Sequence, residues 1–457
     1  MEKQAVQNLI QKSKADFTEV RIQDKAYTII SYKGKDLEHI QSLRDIGGIV
    51  RTLVAGAWAV STFNNLNDLE KEIEKATKNA RTIAHNVPED KKVSLKEVPP
   101  VIDEVKTILD KDFRIVPLQE KKELVEKYND IILRNKHIAS TTTHYRDEFS
   151  HIYYCNSEGT YIHEERPDAR IRFVATAKNA QNIQRALGGV ATSRGFRPLE
   201  TLEQEAHETA QRAAMLLHAQ PPKGGEYTVI LDPILAGTFI HEAFGHFSEA
   251  DHISENKKLK DVMQLGRSIA VPALNVIDDG SREGLRGTHK YDDEGVKTKK
   301  NYLIHNGKLV GRLHSRQTAA KMNEAVTGNA RALSYHYEPI VRMTNTYIDR
   351  GEASFEDLLK STKRGIYAKS FFGGNTAFEL FTFSSEYAFM IEDGKITTPL
   401  CDVVLSGNLF KTLQNIELIA NDLGWEENGG CGKMGQVGLP TPTGSPHIKI
   451  NNVIVGG

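Results

Sequence analysis

The stretch YTVILDPILAGTFIHEAFGHFSEAD, residues 227–251, is the most informative segment for the fold of the second half of this chain. Its first five residues, Tyr227 to Leu231, are mostly β-branched or apolar and predict a buried strand. Asp232 then supplies an N-cap and Pro233 a favourable first helical residue, so the sequence predicts a helix directly after the strand. The histidines of this segment are therefore expected on the first helix of their domain.

The predicted helix contains His241, Glu242 and His246, which are the residue types of a zinc hydrolase. Neutral imidazoles bind Zn²⁺, and an adjacent carboxylate can take a proton from water. The familiar HExxH spacing places both histidines on one face of a helix, whereas HExxxH has one residue more. In a regular α-helix the two side chains then diverge by about 140°. We therefore expect a π-bulge or a helix end between them, which Gly245 would permit.

The spacing alone leaves open a plain helix with two incidental histidines, and a catalytic zinc needs a third protein ligand. Cys431 is the better candidate because it lies in the glycine-rich segment NGGCGKMGQ, residues 428–436, where the backbone can approach a metal. His252 is a poorer candidate, because a glycine would be needed at position 249 to reverse the chain and the residue there is Glu249. His289 is also a weak candidate. A chance cysteine in a turn remains the alternative for Cys431.

Two acidic residues follow the histidines, Glu249 and Asp251. Their carboxylates are candidates to accept a hydrogen bond from the imidazole N–H that does not face the metal, although a solvated helix face is an equally good interpretation. Cys155 and Cys401 have apolar neighbours in β-type patterns and are expected in the core.

The composition excludes several classes of protein. Among 457 residues, 59 are Lys or Arg and 60 are Asp or Glu, so the net charge of -1 argues against a nucleic-acid surface along the whole chain. Three scattered cysteines make no disulfide framework, which fits a reducing compartment. The sequence has no signal-peptide pattern and no good bilayer span. We expect a cytoplasmic protein without membrane association.

The chain divides best at the segment QPPKGG, residues 220–225. We expect an α+β fold of two domains, an N-terminal α/β-sheet domain over 1–220 and a β-rich C-terminal domain over 221–457 that carries the HExxxH helix. Apolar residues at helical spacing predict further helices, and short glycine-containing segments predict turns. The helices are expected at 66–84, 117–136, 198–219 and 409–423, and turns at 33–35, 45–48, 156–159 and 306–307.

Four motifs together resemble one known family. They are HEAFGHFSEAD after VILDPILAG, then NARALSYHYEPIVRMTNTYI at 329–348, the CGKMGQ loop, and GSPHIKINNVIVGG at 444–457. The chain is similar, over nearly its whole length, to the TldD branch of the TldD/PmbA metalloprotease family, formerly described as modulators of DNA gyrase. Because the PmbA/TldE branch lacks HExxxH, the chain resembles the catalytic type.

The resemblance implies a set of roles. His241, His246 and Cys431 would bind one zinc ion per chain, and Glu242 would be the general base. The family resemblance also implies a homodimer, or a heterodimer with a PmbA/TldE-type chain, and an enclosed site that admits unfolded or extended peptides. Three residues of the 329–348 motif are candidates for contacting the substrate, although ordinary strand packing is the favoured interpretation. They are Tyr335, Arg342 and Asn345.

Two functions from different classes follow. The first is a cytoplasmic zinc metallopeptidase, with or without a requirement for a partner chain. The alternative is a non-catalytic binding protein that modulates gyrase or toxin–antitoxin complexes and uses zinc structurally. Direct nucleic-acid binding fits the neutral charge poorly.

Overall fold

The N-terminal half is built on one long, mostly antiparallel sheet of seven strands. The computed structural model describes residues 3–456. Long strands with alternating burial present one face to helices and so form the core. In spatial order the strands are Ala57–Phe63, Asp36–Val54, Phe17–Lys33, Ile138–Asn156, Tyr161–Lys178 and Ile102–Val105, with Ile183–Thr192 also pairing Tyr161–Lys178.

Helices cover the apolar face of this sheet. The predicted helices are confirmed but shorter: the first begins at Leu69 after a 3₁₀ turn and ends at Ala84 as predicted, and the other two lose residues at both ends. Apolar residues at helical spacing, such as Ile73, Ala76 and Ala80, are buried against the strands. The helices of this half are Lys3–Lys12, Leu69–Ala84, Leu118–Leu133 and Glu203–Leu216.

The turn predicted at residues 45–48 is wrong, whereas those at 33–35 and 156–159 are confirmed. Gly47 and Gly48 lie inside the continuous strand Asp36–Val54. A Cβ atom on Gly47 would overlap the ring of Tyr335, and one on Gly48 would overlap the ring of Phe63. These glycines therefore permit close packing rather than a chain reversal.

The C-terminal half is β-rich, as the sequence predicts, and its main sheet closes on itself. Five strands each pair with two others of the set and so form a ring, to which Lys395–Leu400 and Ile416–Ile419 are added. Closure removes the free edges over the paired stretches. The five strands are Gly225–Leu231, Arg364–Ala377, Leu380–Glu392, Val404–Asn408 and Ile448–Gly456.

The helix Pro233–Ile240 packs against this barrel. Asp232 caps it by accepting a hydrogen bond from Leu235 N at 2.8 Å, as the sequence predicts. Phe239 meets the rings of Phe381 and Phe383 edge-on, with centroids 5.2 and 6.2 Å away. The barrel core therefore fixes the direction in which the following residues leave the helix.

A second, six-stranded sheet completes this half. Its strands are Lys308–Leu309, Lys300–His305, Val276–Asp279, Thr346–Ile348, Thr443–Ser445 and Gly424–Glu426. Two hairpin-like pairs join Ala330–Arg331 to Ile340–Val341 and Cys431–Lys433 to Gln436–Leu439. The remaining α-helices are Ala250–Glu255, Lys257–Val262, Arg316–Met322, Phe355–Lys360 and Leu409–Gln414.

The late helix predicted over 409–423 is too long, since it ends at Gln414. Its second part forms the strand Ile416–Ile419, in which Ile416 and Ile419 are buried against Ile448–Gly456. Pairing with an existing strand overrides the helical periodicity here. The Asn306-Gly307 turn is confirmed, between Lys300–His305 and Lys308–Leu309.

Buried ion pairs join the two halves. Arg51 Nη1 lies 2.8 Å from Glu19 Oε1 in its own sheet and 3.4 Å from Glu294 Oε1 of the C-terminal half. Asp293 is held between Arg166 at 2.8 Å and Arg21 at 3.5 Å. Apart from Arg166, whose side chain is 16% exposed, these charges are almost fully buried, so they depend on their partners across the junction.

Among residues 3–456, no helix combines the length with the apolar character that crossing a bilayer requires.

Candidate metal centre

The HExxxH segment forms a π-turn. The α-helix ends at Ile240, a π-helix runs from His241 to Gly245, and a 3₁₀ turn follows from His246 to Ser248. The wider turn takes up the extra residue, and the ring centroids of His241 and His246 lie 5.3 Å apart. The predicted distortion between the two histidines is thereby confirmed.

Gly245 is required by packing. A Cβ atom at this position would overlap the Sδ of Met343, which is fully buried beneath the turn. Glycine thus lets the widened turn approach the neighbouring segment closely.

Cys431 meets the two histidines from a separate hairpin. Its Sγ lies 3.3 Å from Nε2 of His246, and one potential ligand atom from each of the three residues lies within 4.8 Å of the others. Residues 190 positions apart in sequence are therefore brought together by the packing of the hairpin Cys431–Leu439 on the π-turn.

The chemistry of these three residues fits a zinc ion. Burial on its own raises the pKa of the Cys431 thiol, but His241 and His246 outweigh it and lower the pKa from 9.0 to about 5. The thiolate is the form that binds metals. His241 is buried, and its Nδ1 has no hydrogen-bond partner among the described residues. A buried imidazole nitrogen without a partner is costly unless a ligand satisfies it.

Glu249 holds the second ring nitrogen of His246. Its Oε2 lies 3.0 Å from His246 Nδ1, and the carboxylate is completely buried. Burial would raise the pKa of Glu249, but His246 and Lys433 together lower it to about 2. The carboxylate of Asp251 binds Lys433 Nζ at 2.7 and 2.8 Å, and Asp251, Glu249 and His252 place one potential ligand atom each within 4.8 Å of the others. His252 is exposed, as expected.

Glu242 lies beside the cluster in an open cleft. Its Oε2 is 3.9 Å from His246 Nε2, and 37% of its side chain is exposed. The cleft has a volume of about 440 Å³. Its walls include, besides Glu242 and His246, the side chains or backbone of Phe247, His252, Leu259, Gly374, Asn375, Thr376 and Phe378.

The three suggested substrate contacts are buried. Arg342 donates hydrogen bonds to Cys431 O at 2.8 Å and Gln436 O at 3.3 Å. Tyr335 donates to Asp45 at 3.0 Å, and Asn345 donates to Asp279 O at 2.7 Å. This arrangement favours the packing alternative, and a substrate contact for any of them stays a prediction.

The other cysteines are buried, as expected, in apolar clusters away from the three ligand candidates. His289 belongs to no group of potential ligand atoms within residues 3–456. Two features were missed by the sequence reasoning, Lys433 and the strand end at residues 370–377. Lys433 stands out in the sequence only as part of the glycine-rich loop, and a lysine between Gly432 and Met434 gives no sign that it is buried.

A largely buried His–His–Cys group beside a partly exposed glutamate has the composition of a metalloenzyme centre. Three successive family profiles match this chain: PmbA/TldA metallopeptidase domain 1 at 18–84, the central domain at 111–217 and the C-terminal domain at 224–457. The chain belongs to the PmbA/TldA metallopeptidase family. The resemblance inferred from the motifs is therefore confirmed.

Named relatives agree with this family. A protein of Synechocystis named "Metalloprotease slr0863" is 43% identical over 98% of this chain and 96% of its own length. A "Zinc metalloprotease TldD homolog" of Saccharolobus solfataricus is 30% identical over 93% of both chains.

Solved structures share the fold. A Thermotoga maritima protein, described as a candidate modulator of a DNA gyrase, has a TM-score of 0.81 at 20% identity and covers 99% of both chains. TldE from Thermococcus kodakarensis has a TM-score of 0.78 at 19% identity, covering 99% of this chain and 100% of its own. At such low identity the likeness concerns the fold alone.

Proposed function

We propose that this chain is a zinc metallopeptidase that hydrolyses peptide bonds of unfolded or extended peptides. The observation that carries the proposal is the convergence of His241, His246 and Cys431 beside an open cleft that Glu242 and His246 line. The relative named a zinc metalloprotease supports the choice of metal. The soft thiolate and the two imidazoles are also ligands that zinc accepts readily.

In this proposal, His241, His246 and Cys431 hold one zinc ion per chain and leave the cleft side for water and substrate. Bound zinc supplies a water with a pKa near 7 and polarises a carbonyl oxygen. Glu249 fixes the ring of His246 through Nδ1 and so leaves Nε2 for the metal.

Glu242 is the proposed general base. Its carboxylate is partly exposed to the cleft and close to His246, so it can accept a proton from a water molecule there. The same carboxyl group can then deliver that proton to the leaving amine of the cleaved peptide. No side chain among residues 3–456 forms a hydrogen bond with Glu242, which leaves the carboxylate available for this exchange.

The strand end at residues 370–377 is the proposed binding edge for the peptide. This part of Arg364–Ala377 pairs with Leu380–Glu392 on one side, whereas its pairing with Gly225–Leu231 ends at Ala368. Gly374, Asn375 and Thr376 of this edge line the cleft. An extended peptide can add to such an edge through backbone hydrogen bonds, which gives weak sequence selectivity.

We also propose a division into domains 1–220 and 221–457, and assembly as a homodimer or with a PmbA/TldE-type chain. The fold shared with TldE supports such a partner but does not select between the two assemblies. Three free cysteines support a reducing, cytoplasmic location.

The test compares Glu242→Ala with His241→Ala and the unaltered chain, with and without a PmbA/TldE-type partner. Zinc content is measured by elemental analysis and cleavage by mass spectrometry on a disordered peptide. We expect about one zinc per chain in the unaltered chain and in Glu242→Ala, but not in His241→Ala. Cleavage should fall by about 10²–10⁴-fold in Glu242→Ala.

Two results would contradict the proposal. Cleavage by Glu242→Ala at the unaltered rate would remove the general base. A zinc site with four protein ligands and no cleavage in any assembly would instead favour a binding protein with structural zinc.

A further inference from the structure

Lys433 is a buried lysine beside the proposed metal centre. It lies two residues after Cys431 on the strand Cys431–Lys433, and only 5% of its side chain is exposed. Its Nζ lies 3.0 Å from Glu249 Oε2 and donates to Val341 O at 2.9 Å. It also meets both oxygens of Asp251. Lysine is rarely buried in this way unless its charge is paired.

These contacts link the hairpin Cys431–Leu439 to the π-turn and the residues that follow it. Cys431 lies 3.3 Å from His246, His246 lies 3.0 Å from Glu249, and Glu249 lies 3.0 Å from Lys433. The strand Cys431–Lys433 joins Lys433 to Cys431, so the series of contacts is closed. A shift of any member therefore changes the distance between Cys431 and His246.

We propose that Lys433 is a positioning residue, which fixes Glu249 so that this carboxylate holds the His246 ring with Nε2 directed at Cys431. The inference rests on the proposed metal centre and adds a residue that acts on it through another. Among residues 3–456, Lys433 forms no hydrogen bond with His241 or His246 and reaches the proposed centre through its ion pair with Glu249; the residue also lines the cleft.

The bonding of Glu249 explains why the lysine matters. The carboxylate is completely buried, and its other oxygen, Oε1, has no hydrogen-bond partner among residues 3–456. His246 and Lys433 share the single oxygen Oε2. Without Lys433, the buried carboxylate would keep His246 as its one charged partner among residues 3–456 and would lose the contact that holds Oε2 from the hairpin side. Asp251 differs because its side chain is 27% exposed and can be hydrated.

The test measures zinc affinity by competition with a chromophoric chelator. Lys433→Met keeps the approximate length of the side chain and removes the charge. We expect zinc to bind about 10–100-fold more weakly, which is the usual effect of losing an outer partner of a metal ligand. Lys433→Gln serves as a second variant if Lys433→Met does not fold, with the same expectation.

A double-variant comparison separates positioning from general destabilisation. If Lys433 acts through Glu249, the combination of Lys433→Met with Glu249→Gln should bind zinc no more weakly than Glu249→Gln alone. The matched control is Lys449→Met, because Lys449 is equally buried and paired with Glu417 at 3.1 Å in the barrel. This control should lower stability without changing zinc affinity.

The outcomes distinguish this inference from the proposed function. An unaltered chain that binds no zinc would overturn both. Normal zinc binding in the unaltered chain together with unchanged affinity in both Lys433 variants would overturn the role of Lys433 alone. Additive losses in the double variant, or an equal loss in Lys449→Met, would show that Lys433 acts merely as part of the packing.

Discussion

At the scale of single residues, the thiol of Cys431 has the most unusual surroundings. Two imidazoles lower its pKa to about 5 although burial opposes this. These surroundings favour the thiolate, which is the form of cysteine that binds metals. The guanidinium of the buried Arg342 donates a hydrogen bond to Cys431 O at 2.8 Å, which holds the backbone of Cys431 in place.

Replacing Cys431 by serine should remove this advantage. A serine hydroxyl stays protonated at neutral pH and is a poor zinc ligand, so we expect zinc affinity to fall on the order of 100-fold or more. Equilibrium dialysis against zinc checks this. Cys401→Ser is the matched control, since Cys401 is equally buried but lies in another cluster. Unchanged affinity in Cys431→Ser would exclude the thiol as a ligand.

At the scale of elements, the π-turn converts a helix into a site. The barrel aligns the helix Pro233–Ile240, and the turn His241–Gly245 then rotates His246 toward His241. The turn is wedged against Met343, whose side chain occupies the space that a larger residue at 245 would need. Local geometry and packing thus specify the same conformation.

Gly245→Ala should disturb this element. The new methyl group overlaps Met343, and overpacking of a buried site costs about 1–3 kcal/mol of unfolding free energy. Chemical denaturation measures the loss, and zinc affinity should fall in parallel. Combining it with Met343→Ala should recover zinc affinity, although the smaller side chain lowers stability by itself. A fully stable Gly245→Ala protein would contradict the packing argument.

The sequence predicts much at this scale, and the reasons for its failures are physical. The cap at Asp232, the distortion before His246 and the helix near 69–84 depend on neighbouring residues, which a sequence displays directly. Gly47 and Ile416 were misassigned because their roles depend on distant partners, the Tyr335 ring and the strand Ile448–Gly456. Lys433 was missed for the same reason.

At the scale of the whole molecule, buried charges hold the two halves together. Arg51 bridges Glu19 and Glu294, and its guanidinium also lies 4.4 Å from the centre of the Trp58 ring. Separating the members of such a buried pair is costly, because each charge would be left buried without its partner.

Arg51→Met should leave two carboxylates buried without their partner. Removing one member of a buried pair costs about 3–5 kcal/mol of unfolding free energy. Lys12→Met is the control, because its pair with Glu70 is exposed and should contribute at most about 1 kcal/mol. Urea denaturation measures both, and equal effects would show that the junction does not depend on its charges.

Asp293 should make stability depend on pH. Although burial opposes it, Arg166 and Arg21 lower the pKa of this carboxyl below its ordinary 3.8. The unfolded chain then binds more protons, so the contribution is present above about pH 4 and is lost as the pH falls further. Between pH 5 and 3, the free energy of unfolding should fall less steeply in Asp293→Asn than in the unaltered chain. The two slopes should differ by up to about 1.4 kcal/mol per pH unit. Parallel curves would contradict this.

The closed barrel also has a consequence for biosynthesis. Its strand Ile448–Gly456 is translated after His241, His246 and Cys431, yet lies between Gly225–Leu231 and Val404–Asn408. The N-terminal sheet can form on the ribosome, because all its strands precede residue 193. The barrel cannot close until Ile448–Gly456 has emerged, so the helix that leads to the proposed metal centre is held in place only after all three proposed ligands have been synthesised.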